Sequence, residues 1–151
     1  MPDSATLVTV TAAAYAVLSA VQSWMIYGTD RLLARTGADL ALTVLLVWLL
    51  LTVTRRSHRF KQTVSAVLGA GALLSPLVIL LLALRGPADA SHVLALVVWA
   101  GSVAVILWFT FILGHIVRSA LDTGLFTGVA VAITYVVASA AALTRLFPEG
   151  A

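Results

Sequence analysis

Five long apolar runs, broken by short polar stretches, dominate the chain. A helix that crosses a bilayer needs roughly 20 predominantly apolar residues, with a range of about 17–25. Segments of that kind are predicted at about 5–27, 38–54, 62–84, 92–117 and 123–146. The first ends in Trp24 and Tyr27, an aromatic pair suited to the headgroup level, with Asp30 and Arg31 following. The second holds the uncharged run from Leu40 through Val53 and stops at Arg55 and Arg56. Arg85, Gly86 and Pro87 close the third segment, Arg118 the fourth, and Pro148, Glu149, Gly150 and Ala151 follow the fifth. The connectors are short, so consecutive helices are expected to lie antiparallel in one all-α membrane bundle, residues 1–151 forming a single domain.

Composition agrees with the pattern. Of the 151 residues, 62% are hydrophobic and 10% charged, and mean hydropathy is +1.09. A soluble domain carries about 25% charged residues. The net charge of +3 sits in the connectors, so it is read as membrane orientation and not as nucleic-acid affinity. Eight of the nine basic residues are Arg, which suits a GC-rich bacterial genome. The opening Met1, Pro2, Asp3 and Ser4 lack the basic region of a signal peptide, so the first apolar segment is expected to remain as a span.

Orientation is drawn from the loop Arg55, Arg56, Ser57, His58, Arg59, Phe60, Lys61. Basic loops stay cytoplasmic, which places the N-terminus inside and the C-terminus outside. Arg55, Arg56, Arg59, Lys61 and Arg118 then face inward, against Arg31, Arg35, Arg85 and Arg145 outside. Asp30, Asp39 and Asp89 are assigned to the outer side and Asp122 to the inner.

Small residues recur at helical spacing, as close packing in lipid requires. Ala12, Ala16 and Ala20 do so with Ser19 and Ser23 beside them, as do Ser65 and Gly69, Gly71 and Ser75, and Gly124, Gly128 and Ala132. Packing within the monomer is the favoured account; a dimer interface on the fifth helix is the alternative. Pro76 lies inside the third segment, where it removes the bond to the Ala72 carbonyl and predicts a kink, with Ser75 able to satisfy a freed carbonyl.

Candidate chemistry is sparse. The chain has no cysteine, which excludes disulfides, thiolate metal sites and thiol catalysis. There is no intramembrane lysine for a Schiff base, no paired intramembrane aspartates, no Gly-x-Ser-x-Gly and no phosphate-binding glycine loop. The apolar runs also lack the charged ladder of a proton pump or ion-coupled transporter. Gln22, the most polar residue inside a span, is expected to make an interhelical hydrogen bond. His92 and His115 are 23 positions apart, roughly 34 Å along a helix, so they cannot both bind one haem. His58 and His115 share the inner side, which leaves haem or a quinone open as an alternative cofactor; no metal site is expected. Arg59, Lys61, His115 and Arg118 are predicted to form one basic cluster at the inner headgroup level, for anionic lipid or an acidic partner segment. Ordinary stop-transfer charges are the plainer account of the same residues.

The stretch from Arg59 through Leu74, with Pro76 downstream and Gly114 through Leu121 after it, resembles small bacterial membrane proteins of the Yip type. That family is named for interaction with Ypt/Rab GTPases. The resemblance implies a five-helix fold with a cytoplasmic N-terminus. Eukaryotic members look like trafficking and membrane-shaping factors with an extended cytosolic N-terminal region; only a few residues precede the first span here, so GTPase binding is not expected to carry over. The leading expectation is a non-enzymatic protein of the bacterial inner membrane, acting as a scaffold, accessory subunit or lipid-organising element. Its partners would be membrane lipids, other membrane proteins or further copies of itself. A haem- or quinone-binding subunit of a redox complex is the alternative, and a small-solute transporter the third.

Overall fold

The computed structural model describes residues 4–29, 32–88 and 91–146. The chain is an all-α bundle of five long helices, α1 (Ser4–Tyr27), α2 (Leu32–Val53), α3 (Phe60–Ala83), α5 (His92–Leu121) and α6 (Leu125–Leu146). A 3-10 turn, Ser57–Arg59, precedes α3, and one helical turn, α4 (Arg85–Ala88), follows it. All five long helices have the length and apolar composition to cross a membrane, so the chain is a multi-pass membrane protein. Asp30, Arg31, Asp89 and residues 147–151, and the side chain of Tyr27, lie outside the described part.

The helices stop where local chemistry lets the backbone turn. Gly28, at φ +72°, ends α1 with its N–H donating to the Trp24 carbonyl at 2.9 Å. The end of α2 uses Arg55 in the left-handed region (φ 57°), and the Arg56 N–H reaches back to the Leu51 carbonyl at 2.7 Å. Asp122 does the same for α5 (φ 48°), with the Thr123 N–H on the Arg118 carbonyl at 3.2 Å. Ser91 caps the start of α5, its Oγ accepting from the Leu94 N–H at 3.5 Å.

Two boundaries depart from the sequence reading. α2 begins at Leu32, six residues earlier than the hydropathy onset, so Arg35 and Asp39 are helical residues and Asp39 is part-buried in the bundle. Apolar character marks where a helix becomes greasy, whereas the helix itself begins wherever the backbone can form its bonds; Leu, Ala and Arg all favour that. α5 continues to Leu121, one turn beyond the expected end, carrying Arg118 and Ser119 on the helix. α3 is helical throughout, across Pro76. Ser75 Oγ donates to the Gly71 carbonyl at 2.8 Å, the carbonyl before the one Pro76 leaves without its donor.

α1 packs chiefly on α3 and α5 on α6; α3 meets α5, and α2 bridges α1, α3 and α6. The core lies toward the Arg55–Lys61 end, with Leu51, Val67, Leu68, Leu113, Val117 and Ala132 at its centre. Glycine sets the closest approaches. A Cβ on Gly71 would fall 2.5 Å from Tyr15 Cε2, so the bare Gly71 surface seats the Tyr15 ring against α3. Gly114 and Gly128 face each other across α5 and α6; a Cβ on Gly128 would lie 2.4 Å from the Gly114 carbonyl oxygen. Gly128 and Ala132 are therefore buried inside the monomer, while Gly124 has open space around it. Outside, large apolar side chains stand exposed on every long helix, Leu73 (83%), Trp99 (66%) and Phe126 (89%) among them, the surface expected against acyl chains.

Candidate functional site

Two polar networks stand out among the described residues, one at a membrane face and one at mid-depth. The first is built where the α2–α3 connector meets the end of α5. Arg56 Nη1 donates to Asp122 Oδ2 and forms an ion pair with it. Arg59 approaches from the next turn, with Nη2 3.2 Å from the same oxygen and Nη1 3.3 Å from Oδ1. Arg59 Nη1 also donates to the Ser119 carbonyl at 2.7 Å, and more weakly to that of Ala120 at 3.5 Å. These are the last carbonyls of α5, which have no helical partner and carry the negative end of the helix dipole. Hydrogen bonds from Arg56 and then Arg59 hold the Asp122 carboxyl below the usual carboxylate range. The arrangement staples two connectors together and closes the bundle at this end.

The expected four-residue cluster divides. Arg59 and His115 do line one groove, of about 280 Å³ between α3 and α5, with Gln62 and Ser119. Lys61 is exposed on α3 outside that groove, and Arg118 lies on the other flank of α5, its Cβ beside Gly128 of α6. Three residues apart still leaves about 60° around a helix, enough to put His115 toward α3 and Arg118 toward α6. Arg59 is also committed to Asp122 and the α5 carbonyls, so the exposed cations of this face are Arg55, Lys61 and Arg118. His58, on the 3-10 turn, is exposed, as is His115. Among the described residues no three His, Cys, Asp or Glu side chains gather as a metal site.

The second place is one that hydropathy did not reveal. Asp39, on α2, accepts hydrogen bonds at Oδ2 from Tyr15 Oη at 2.7 Å and Ser19 Oγ at 3.2 Å, both on α1. One turn further along α2, Thr43 Oγ1 accepts from Tyr135 Oη of α6 at 3.0 Å. Tyr15, Thr43 and Tyr135 each fall near the middle of their helices, so this network joins α1, α2 and α6 at mid-depth. Gln22 is half-buried two turns beyond Tyr15, without a hydrogen bond among the described residues; Tyr15 and Ser19 supply the interhelical bonds expected of it. The sequence held a signal for this. Tyrosines of membrane helices gather at the interfaces, whereas Tyr15 and Tyr135 lie deep in their segments, where a phenol needs an acceptor. Compared with protein-family models, curated proteins and solved structures, the chain matches none.

Proposed function

We propose that this chain is a non-enzymatic protein of the bacterial cytoplasmic membrane, a scaffold or lipid-organising element that engages anionic headgroups at one face. The observation that carries this reading is the charge of the Arg55–Lys61 end. Arg55, Arg56, Arg59, Lys61 and Arg118 stand there against Asp122 alone among the described residues, five cations to one carboxylate. A juxtamembrane cation near an anionic leaflet is worth about 1 kcal/mol. The three exposed cations not engaged by Asp122 are thus enough to enrich anionic lipid around the protein. The groove holding His115 and Gln62 lies at the same level and suits a headgroup with polar substituents. The Yip-type resemblance supports the same orientation, with this end cytoplasmic.

The test is lipid retention. Protein purified in mild detergent from a membrane of mixed composition is analysed by native mass spectrometry, beside the Lys61→Glu/Arg118→Glu double variant. The expected result is bound anionic phospholipid on the wild type and its loss from the variant. Equal retention by both would overturn the reading. A visible spectrum of the same sample tests the haem alternative, since a Soret band lost in His115→Ala would replace the scaffold with a redox subunit.

A further inference from the structure

The groove between α3 and α5 has a depth and a chemistry of its own. Gln62 and Ala66 line it from α3, with Arg59 just ahead of them, and His115 and Ser119 from α5. The bond from Arg59 to the Ser119 carbonyl marks its mouth. Counted from that contact, Gln62 is three residues along α3 and His115 four residues back along α5, roughly 5 and 6 Å. Amide and imidazole therefore stand at one level. The groove runs on to Ala66, roughly 10 Å in from Arg59. A headgroup layer is roughly 5–7 Å deep on each side of a bilayer. A groove of this length takes one headgroup and the first carbons behind it.

Its side chains have hydrogen bonds to spare. The Gln62 amide, the His115 ring and the Ser119 hydroxyl are exposed and make none among the described residues. Grooves elsewhere on the bundle differ. Those between α2 and α6 and between α5 and α6 are lined by apolar side chains with a few hydroxyls. Of these, Thr110 and Thr134 donate to carbonyls one turn earlier in their own helices. The unspent groups between α3 and α5 have a definite chemical sense. An amide and a hydroxyl both donate and accept, and a neutral imidazole offers one of each. Arg59, the charged member, is spent on Asp122 and the α5 carbonyls. A phosphate oxygen only accepts and an ammonium only donates, so either would leave part of this set without partners. A hydroxyl does both.

We propose that this groove is a headgroup site selective for a phospholipid whose phosphate carries vicinal hydroxyls, on a glycerol or a cyclitol. The hydroxyls enter between Gln62 and His115, with Ser119 toward the mouth. The phosphate stays outside the groove, among the cations of the basic face. Ala66, with its single methyl group, leaves room at the inner end for the ester region behind the headgroup. Such a site rests on the headgroup-binding reading above and adds to it a choice among anionic lipids. Exposed cations attract any negative headgroup. Charge alone would rank phosphatidic acid first, because a phosphate monoester carries about −1.5 to −2. Hydrogen bonds in the groove reverse that order for a headgroup able to make them.

A lipid competition on the detergent-purified full chain decides it. The protein is equilibrated with equal amounts of phosphatidylglycerol, phosphatidylinositol, phosphatidic acid and phosphatidylethanolamine of one acyl composition. Native mass spectrometry then counts each bound lipid. One or both of the hydroxylated lipids should be retained roughly tenfold over phosphatidic acid. Retention of one alone identifies the headgroup as glycerol or as cyclitol. Gln62→Leu and His115→Phe, both at exposed positions, should each cut that preference severalfold while keeping the helical circular dichroism and the total anionic lipid. Lys61→Glu/Arg118→Glu should instead lower all anionic lipids together. Anionic lipid bound by the wild type without preference for the hydroxylated headgroups would overturn the groove site and leave the basic-face reading standing. That competition holds whether or not a variant folds. A preference unchanged in both folded groove variants would also overturn the site, and a wild type retaining no anionic lipid would overturn both readings.

Discussion

Asp122 ends α5 in a left-handed conformation (φ 48°, ψ 46°) while its carboxylate receives Arg56 and Arg59. The backbone tolerates this because aspartate visits that region more readily than most residues. Arg55, in the same conformation at the end of α2, has no such latitude, and its side chain is exposed. Replacing Arg55 with Gly should therefore raise stability by up to about 1 kcal/mol, read as a higher thermal midpoint in detergent. The Asp122 ion pairs add a pH dependence of known sign. A carboxyl held below its unfolded value stabilises the fold fully above the ordinary carboxylate range, near 4, and loses that contribution as pH falls from there through its own lowered value. Wild type should accordingly exceed Asp122→Asn in thermal midpoint at neutral pH, and the gap should narrow below about pH 4. High salt should narrow it as well, since these side chains are one-third to one-half exposed and screened by solvent ions. A gap unchanged by both would mean that Asp122 acts through its backbone.

At the level of the helix, small residues decide how closely elements approach, and their contributions differ by position. Gly128 faces the Gly114 carbonyl and the Arg118 backbone, neither of which can move without shifting α5 against α6. Gly128→Ala should cost about 1–3 kcal/mol, the range for overpacking. Gly124→Ala, with nothing within 4 Å, should be neutral or mildly stabilising. Thermal unfolding of the two variants separates them, and equal effects would place the α5–α6 contact elsewhere. The spacing of Gly124, Gly128 and Ala132 made the stripe legible, but only the packed structure shows that its first member is unused. Most helix positions were legible too, because length and hydropathy are what a bilayer selects. The start of α2 was not. Arg35 and Asp39 read as connector charges on a hydropathy scale, whereas Tyr15 and Ser19 accommodate Asp39 from another helix. A bond between residues 24 apart in sequence leaves no local trace.

The whole molecule carries its polarity along one axis. The pairing of Arg56 with Asp122 places the α2–α3 connector and the α5–α6 connector at the same end, so α3 and α5 run out and back between them. The opposite end holds the α4 turn and the Ser91 cap of α5. The proposed orientation puts the end carrying Arg55, Arg56, Arg59 and Lys61 at the cytoplasm, since a basic loop resists translocation. The natural chain has no cysteine, so single introduced thiols report orientation without background. Ser57 and Ser91 are exposed, and they stand at opposite ends. In intact spheroplasts an impermeant maleimide should label Ser91→Cys and leave Ser57→Cys unmodified until the membrane is opened. The reverse pattern would invert the molecule, carrying the basic face to the outer leaflet and the Ser91 end to the cytoplasm. Labelling of both in sealed membranes would instead mean that the basic connector does not fix a single topology. The headgroup-binding reading depends on the first outcome, because a cytoplasmic anionic leaflet is what its free cations fit.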